Sequence, residues 1–163
     1  MIEPLTSFRG TSLYLDTMIP YALLRGLDPA ARDLFAPIEA GELQAYTSVL
    51  TFDELTYRML LALIRAHHGG SPLDQLRHKE EQLIAQFYPE IAPHLTRLRT
   101  FPNLFLIEVA SVDLMVMDEA MRLYHLRPPD ALHLAAMRKS DYFDLASHDS
   151  DFDRVPHVQR YTL

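Results

Sequence analysis

Ser12-Leu13-Tyr14-Leu15-Asp16 is a short apolar run that ends on an acid. Its side chains are apolar at consecutive positions rather than alternate ones, so it reads as a strand buried on both faces. Working outward, Asp28-Pro29 opens a helix, with the acid as N-cap and the proline as first helical residue, and Gly41 closes it. Leu43 to Tyr46 is a second short strand. Thr51-Phe52-Asp53-Glu54 has the Thr-x-x-Glu pattern of a capping box, followed by Leu55, Met59, Ala62, Leu63 and Ala66 at helical spacing. Gly69-Gly70 ends that helix. Ser71-Pro72 starts another, which Pro89 and Pro93 are expected to interrupt. Residues 104 to 109 form a continuous apolar strand, and Ser111 is expected to cap the helix that follows. Pro128-Pro129 stops the chain and restarts it as a helix from Asp130 to Met137. Tyr142 to Ala146 is strand-like, residues 147 to 152 form a turn, and Val158 to Tyr161 is expected as a last edge strand. Short apolar strands alternating with helices predict an α/β fold, a parallel sheet covered by helices.

Composition narrows the chemistry. The chain has 163 residues, which fits one domain, and its 48% hydrophobic and 23% charged content is that of a soluble globular protein. There is no cysteine, which excludes disulfides and thiolate metal sites and is compatible with a cytoplasmic protein. The opening MIEPLTSFRG does not read as a signal peptide, and no apolar stretch approaches the ~20 residues of a membrane span. The net charge of -7 argues against a passively basic nucleic-acid binder, yet suits a site that binds cations first.

In an open parallel sheet, ligands sit beyond the carboxyl ends of the strands. Asp16 follows the first apolar strand, and Asp149 follows the penultimate one. Glu54 and Asp130 both fall in the expected first turns of helices. Four acids from distant segments can therefore converge, and an all-oxygen cluster suits Mg2+ or Mn2+. Each acid also has an ordinary structural use: Asp16 as a helix cap, Glu54 as half of a capping box, Asp130 against a helix dipole, Asp149 in a turn. Among the histidines, His67-His68 reads as a helix end, His133 can face the site or the core and reads better as core or neutral surface, and His148, beside Asp149, as the one near the chemistry. Met115, Met117 and Met121 read as core filler. No glycine-rich phosphate loop and no Gly-x-Ser-x-Gly elbow is present.

The segments Tyr14-Leu15-Asp16-Thr17, Phe52-Asp53-Glu54-Leu55, Pro129-Asp130-Ala131-Leu132-His133-Leu134-Ala135-Ala136 and Ser147-His148-Asp149-Ser150-Asp151-Phe152 resemble, in order, the four signature blocks of the PIN-domain superfamily, and of its VapC-type toxins in particular. The resemblance implies a three-layer α/β/α fold with a central parallel sheet, and Mg2+- or Mn2+-dependent endonuclease cleavage, mostly of RNA. It matches Asp16, Glu54 and Asp130 to the three most regular acids and Asp149 to a more variable fourth, with Asp151 as a secondary candidate. Thr17 matches the hydroxyl that commonly follows the first acid. Met18 stands where a small polar residue is frequent, and Ser147 replaces the usual threonine.

Together these readings predict a single PIN-like domain over residues 1–163 with a helical insertion around residues 69–102. The expected activity is that of a ribonuclease toxin with an antitoxin partner, acting as a homodimer. The alternatives are a PIN nuclease without antitoxin and a non-catalytic partner-binding module. Arg25, Arg58, Arg65 and Arg127 are candidate phosphate contacts. The apolar residues Leu73, Leu76, Leu83, Ile84, Phe87, Ile91, Leu95 and Leu98 are expected to lie partly at an interface.

Overall fold

The computed structural model describes residues 3–163. Six strands, β1 (Glu3–Pro4), β2 (Ser12–Leu15), β3 (Gln44–Ser48), β4 (Leu104–Ile107), β5 (Asp144–Ala146) and β6 (Gln159–Thr162), form one sheet in the order β1-β6-β5-β2-β3-β4, and every pairing is parallel. The helices are α1 (Met18–Arg25), α2 (Pro29–Ala40), α3 (Val49–His68), α4 (Pro72–Arg99), α5 (Asp113–Tyr124) and α6 (Pro128–Ser140). The chain leaves β2 toward β3 and β4 on one side, then returns to lay β5 on the other. That change of direction puts a crevice at the carboxyl ends of β2 and β5.

Successive side chains of β2 point to opposite faces. Leu13 and Leu15 pack with Ile19 of α1, Phe35 of α2, Leu55 of α3 and Phe87 of α4. Tyr14 packs on the other face with Ala136 and Met137 of α6. Both faces of the sheet are therefore covered, which is why the run is continuously apolar. Burying each of these leucines is worth roughly 1.5–3 kcal/mol.

Several local expectations are corrected. The Thr51-Glu54 pair is not a capping box. Ser48, three residues before the expected cap Thr51, accepts the Leu50 N–H and starts α3 at Val49. Thr51 is buried within α3 and bonds Thr47 at 2.6 Å, so Glu54 lies in the second turn, free of any capping duty. Pro89 and Pro93 do not interrupt α4, whose departure from helical geometry falls at Lys79. Both prolines lie on the exposed side of α4, while Leu83, Phe87, Ile91 and Leu98 hold the opposite side in the core. Ser111 does not cap α5; the Asp113 carboxylate takes the Ala110 N–H instead and binds Lys139 Nζ, both at 2.7 Å. The last strand is not an edge, because β1 pairs beyond it. Met115 is 75% exposed and fills no core, whereas Met117 and Met121 pack against the cluster of Leu126, Leu134 and Val155.

Candidate active site

The site grows from the end of β2. The Asp16 N–H continues the ladder to Ala146 O at 3.0 Å, which holds the Asp16 backbone against β5. One Asp16 oxygen accepts the Thr17 N–H at 2.7 Å, and the other accepts the Ser147 hydroxyl at 2.6 Å. Asp16 is 8% exposed, so these two donors fix its carboxylate while further lone pairs remain. Ser147 also accepts the Asp149 N–H at 2.9 Å, and Asp149 in turn caps a 3₁₀ turn by accepting the Asp151 N–H.

Glu54 reaches the same place from α3. Its Oε2 accepts the buried Thr17 hydroxyl and lies 3.4 Å from His133 Nε2. Burial pushes the Glu54 carboxyl up, but the hydrogen bonds from His133 and Thr17 and the charge of Arg58 outweigh it, leaving it below the usual range. Asp130, in the first turn of α6, behaves oppositely. Burial, with the negative charges of Asp149 and Asp16, raises it to about 6 despite Arg127 alongside. Arg127 Nε donates to Asp130 at 3.1 Å, its other end holds Asp149, and Asp151 lies 3.7 Å away.

Asp16, Thr17, Met18, Glu54, Arg58, Arg127, Pro129, Asp130 and Asp149 line one cleft of about 210 Å³. Within it, ligand-capable atoms of Asp16, Glu54 and His133 lie within 4.8 Å of one another, as do those of Asp130, Asp149 and Asp151. A pocket of about 270 Å³ between the amino-terminal segment and α2 is mostly apolar and contains none of these acids.

The PIN-domain family model matches residues 13–158. The chain belongs to the PIN-domain family. Solved structures share the fold at low identity. A toxin–antitoxin complex from Klebsiella pneumoniae is 19% identical, with a TM-score of 0.54, over 90% of this chain and 95% of that one. VapBC2 from Rickettsia felis, bound to a DNA fragment from its promoter, is 11% identical, with a TM-score of 0.54, over 93% and 98%. VapC20 from Mycobacterium tuberculosis, described as a Sarcin-Ricin loop cleaving toxin, is 18% identical, with a TM-score of 0.55, over 86% and 92%. No curated protein matches the sequence.

Placed on this PIN fold, the histidine expectation changes. His148 is exposed and does not line the cleft, whereas His133, read as core or neutral surface, is both 1% exposed and in contact with Glu54. A signal was available: the lone polar residue in Ala131-Leu132-His133-Leu134-Ala135-Ala136 must find partners once that face is buried. Of the four arginines, Arg58 and Arg127 line the cleft and Arg25 and Arg65 do not. Among the described residues no helix is long and apolar enough to cross a membrane.

Proposed function

We propose that this PIN-domain chain is a metal-dependent endoribonuclease, the toxin of a type II toxin–antitoxin pair, in which Asp16, Glu54, Asp130 and Asp149 hold Mg2+ or Mn2+. The observation that carries the reading is the excess of acids over the two arginines, Arg58 and Arg127, that line the cleft. Four acids line it, and Asp130 is raised to about 6, with burial and its acidic neighbours opposing ionisation. A divalent cation relieves that repulsion, and an all-carboxylate set suits a hard ion. When bound, such an ion polarises the scissile phosphate and makes a coordinated water more acidic.

The chain's own groups do the rest. Thr17 and Ser147 hold Glu54 and Asp16 in fixed orientations, so the carboxylates need little rearrangement. Asp130 or Asp149 orients the attacking water. Arg58, at the rim, meets a phosphate on the entering strand, since local rather than net charge guides a polyanion. Asp151 is a secondary member, held by Arg154 at 2.7 Å.

The partner assignments have their own support. Two of the structural neighbours are toxin–antitoxin complexes. Between α3 and α4, Tyr57, Ile84 and Tyr88 leave an apolar groove of about 310 Å³, and a second hollow sharing Asp53 and Tyr57 connects it to Glu54 and Arg58. An antitoxin seated there would reach the carboxylates. A second copy of the chain has other exposed apolar side chains to meet, Val112, Leu114 and Met115 at the start of α5. Residues 1–163 act as one cytoplasmic unit in this reading. Leu76, Leu83, Phe87, Ile91 and Leu98 of the 69–102 stretch share the core of Leu13, while Leu73 and Ile84 are exposed.

The test is incubation of the purified chain with structured cellular RNA in Mn2+ and in chelator, with Asp130→Asn alongside. Cleavage by the wild type in Mn2+ alone supports the reading. Cleavage that persists in chelator or in the variant defeats it.

A further inference from the structure

His133 poses a chemical choice. Its Nε2 lies close enough to Asp16 and Glu54 for the three to be counted as one metal-ligand set. An imidazole ligates through a lone pair, so the question is which ring nitrogen carries the hydrogen.

The surroundings decide it. On one side, Nε2 faces the Glu54 Oε2 at 3.4 Å. An ionised carboxylate oxygen only accepts hydrogen bonds, and a bare nitrogen lone pair facing it would be repelled. An N–H there is attracted. On the other side, Nδ1 lies 2.8 Å from the Tyr14 hydroxyl. Tyr14 is fully buried, and burial pushes its phenol above the ordinary range, so the hydroxyl keeps a proton to give. Ser48 Oγ, 3.4 Å from the same nitrogen, already accepts the Leu50 N–H and has its own proton to donate. No neighbour of Nδ1 requires an N–H from it.

We propose that His133 is a positioning residue rather than a metal ligand: Tyr14 donates to Nδ1, which fixes the tautomer, and the Nε2–H then donates to Glu54. The direction runs one way, from Tyr14 through His133 to Glu54. Oε2 of Glu54 thereby takes two donors, Thr17 and His133, and the other oxygen is left for the cleft. A ligating carboxylate oriented by outer hydrogen bonds is the arrangement that sustains metal affinity. The inference rests on the reading that Glu54 holds a cation, and it assigns to the β2 tyrosine a task at the site although its side chain points into the opposite layer.

Nitrogen NMR of the full chain labelled at histidine, without added metal, reads the tautomer directly. The Nε2–H form is expected at His133, and Tyr14→Phe should mix the two forms. Manganese affinity, read by electron paramagnetic resonance, is the second measurement. His133→Gln keeps a donor near the Nε2 position and should bind Mn2+ within a fewfold of the wild type. His133→Leu should bind at least about tenfold more weakly. An Nδ1–H tautomer with Mn2+ still bound by the wild type overturns the positioning role alone, as does a His133→Gln variant as weak as His133→Leu. Loss of folding in His133→Leu leaves the tautomer and the His133→Gln comparison to decide. A wild-type chain with the Nε2–H tautomer that binds no Mn2+ overturns the metal reading, and the role of His133 toward it falls too.

Discussion

Ser147 Oγ lies 2.6 Å from Asp16 Oδ2, so the end of β5 is tied to the end of β2 at the point where the sheet changes direction. The same hydroxyl receives the Asp149 N–H, which makes one buried side chain common to two of the four acids. Ser147→Ala removes both bonds. Leaving such groups unpaired costs roughly 1–3 kcal/mol, so urea denaturation should show a loss of that order, and Ser147→Thr should remain near the wild type. An alanine variant of undiminished stability would show that the hydroxyl does not hold the two acids in place.

Asp130→Asn separates function from folding. The carboxyl is raised in the fold from 3.8 to about 6, so its ionisation works against the folded state. That penalty is absent below 3.8, grows as pH rises toward about 6 and is constant above it. In chelator at pH 7 the variant should therefore melt no lower than the wild type, and in Mn2+ it should not cleave RNA. The difference in melting temperature should grow across that window as pH rises. A variant that melts clearly lower at pH 7 in chelator would make Asp130 a structural helix cap.

Arg127 serves the acids as an internal counter-ion, with contacts to Asp130, Asp149 and Asp151. Its side chain is 65% exposed, so each pair is worth only roughly 0–1 kcal/mol. A divalent ion entering the cleft competes with it. Arg127→Ala should tighten Mn2+ binding by up to about fivefold in isothermal titration. Weaker binding would mean that the guanidinium arranges the carboxylates for the ion instead of competing with it.

What could be read in advance followed the range of the interactions. Leu13-Tyr14-Leu15 announced a strand because full burial on two faces leaves no polar position, and Asp16 announced its carboxyl end because a charged side chain cannot join those apolar layers. Asp28 and Gly41 were legible because capping is local. Thr51-Glu54 misled because a capping box and a continuing helix share the same four letters, and Ser48 alone decides between them. The burial expected of His133 is borne out, but its partner was not legible for the converse reason: Tyr14 lies 119 residues away in sequence. Pro89 and Pro93 read as breakers in isolation, but α4 continues through them with Leu83, Phe87, Ile91 and Leu98 buried on its other side, and that burial is a tertiary property.

The assembly proposal can be tested apart from the chemistry. Met115→Glu adds a charge to an exposed apolar position of α5 that does not line the acidic cleft. Light scattering should show a dimer for the wild type and a monomer for the variant. A wild type that stays monomeric at high micromolar concentration would remove the homodimer from the account.

Cleavage of structured cellular RNA by the wild type and by Asp16→Asn, each in Mn2+ and in chelator, tests the central claim most directly. Asp16 is the acid held by both Thr17 and Ser147, and its replacement leaves those partners in place. The account predicts cut RNA in one combination alone, wild type with Mn2+. Cleavage by the wild type in chelator, undiminished cleavage by Asp16→Asn, or intact RNA in every combination would contradict it.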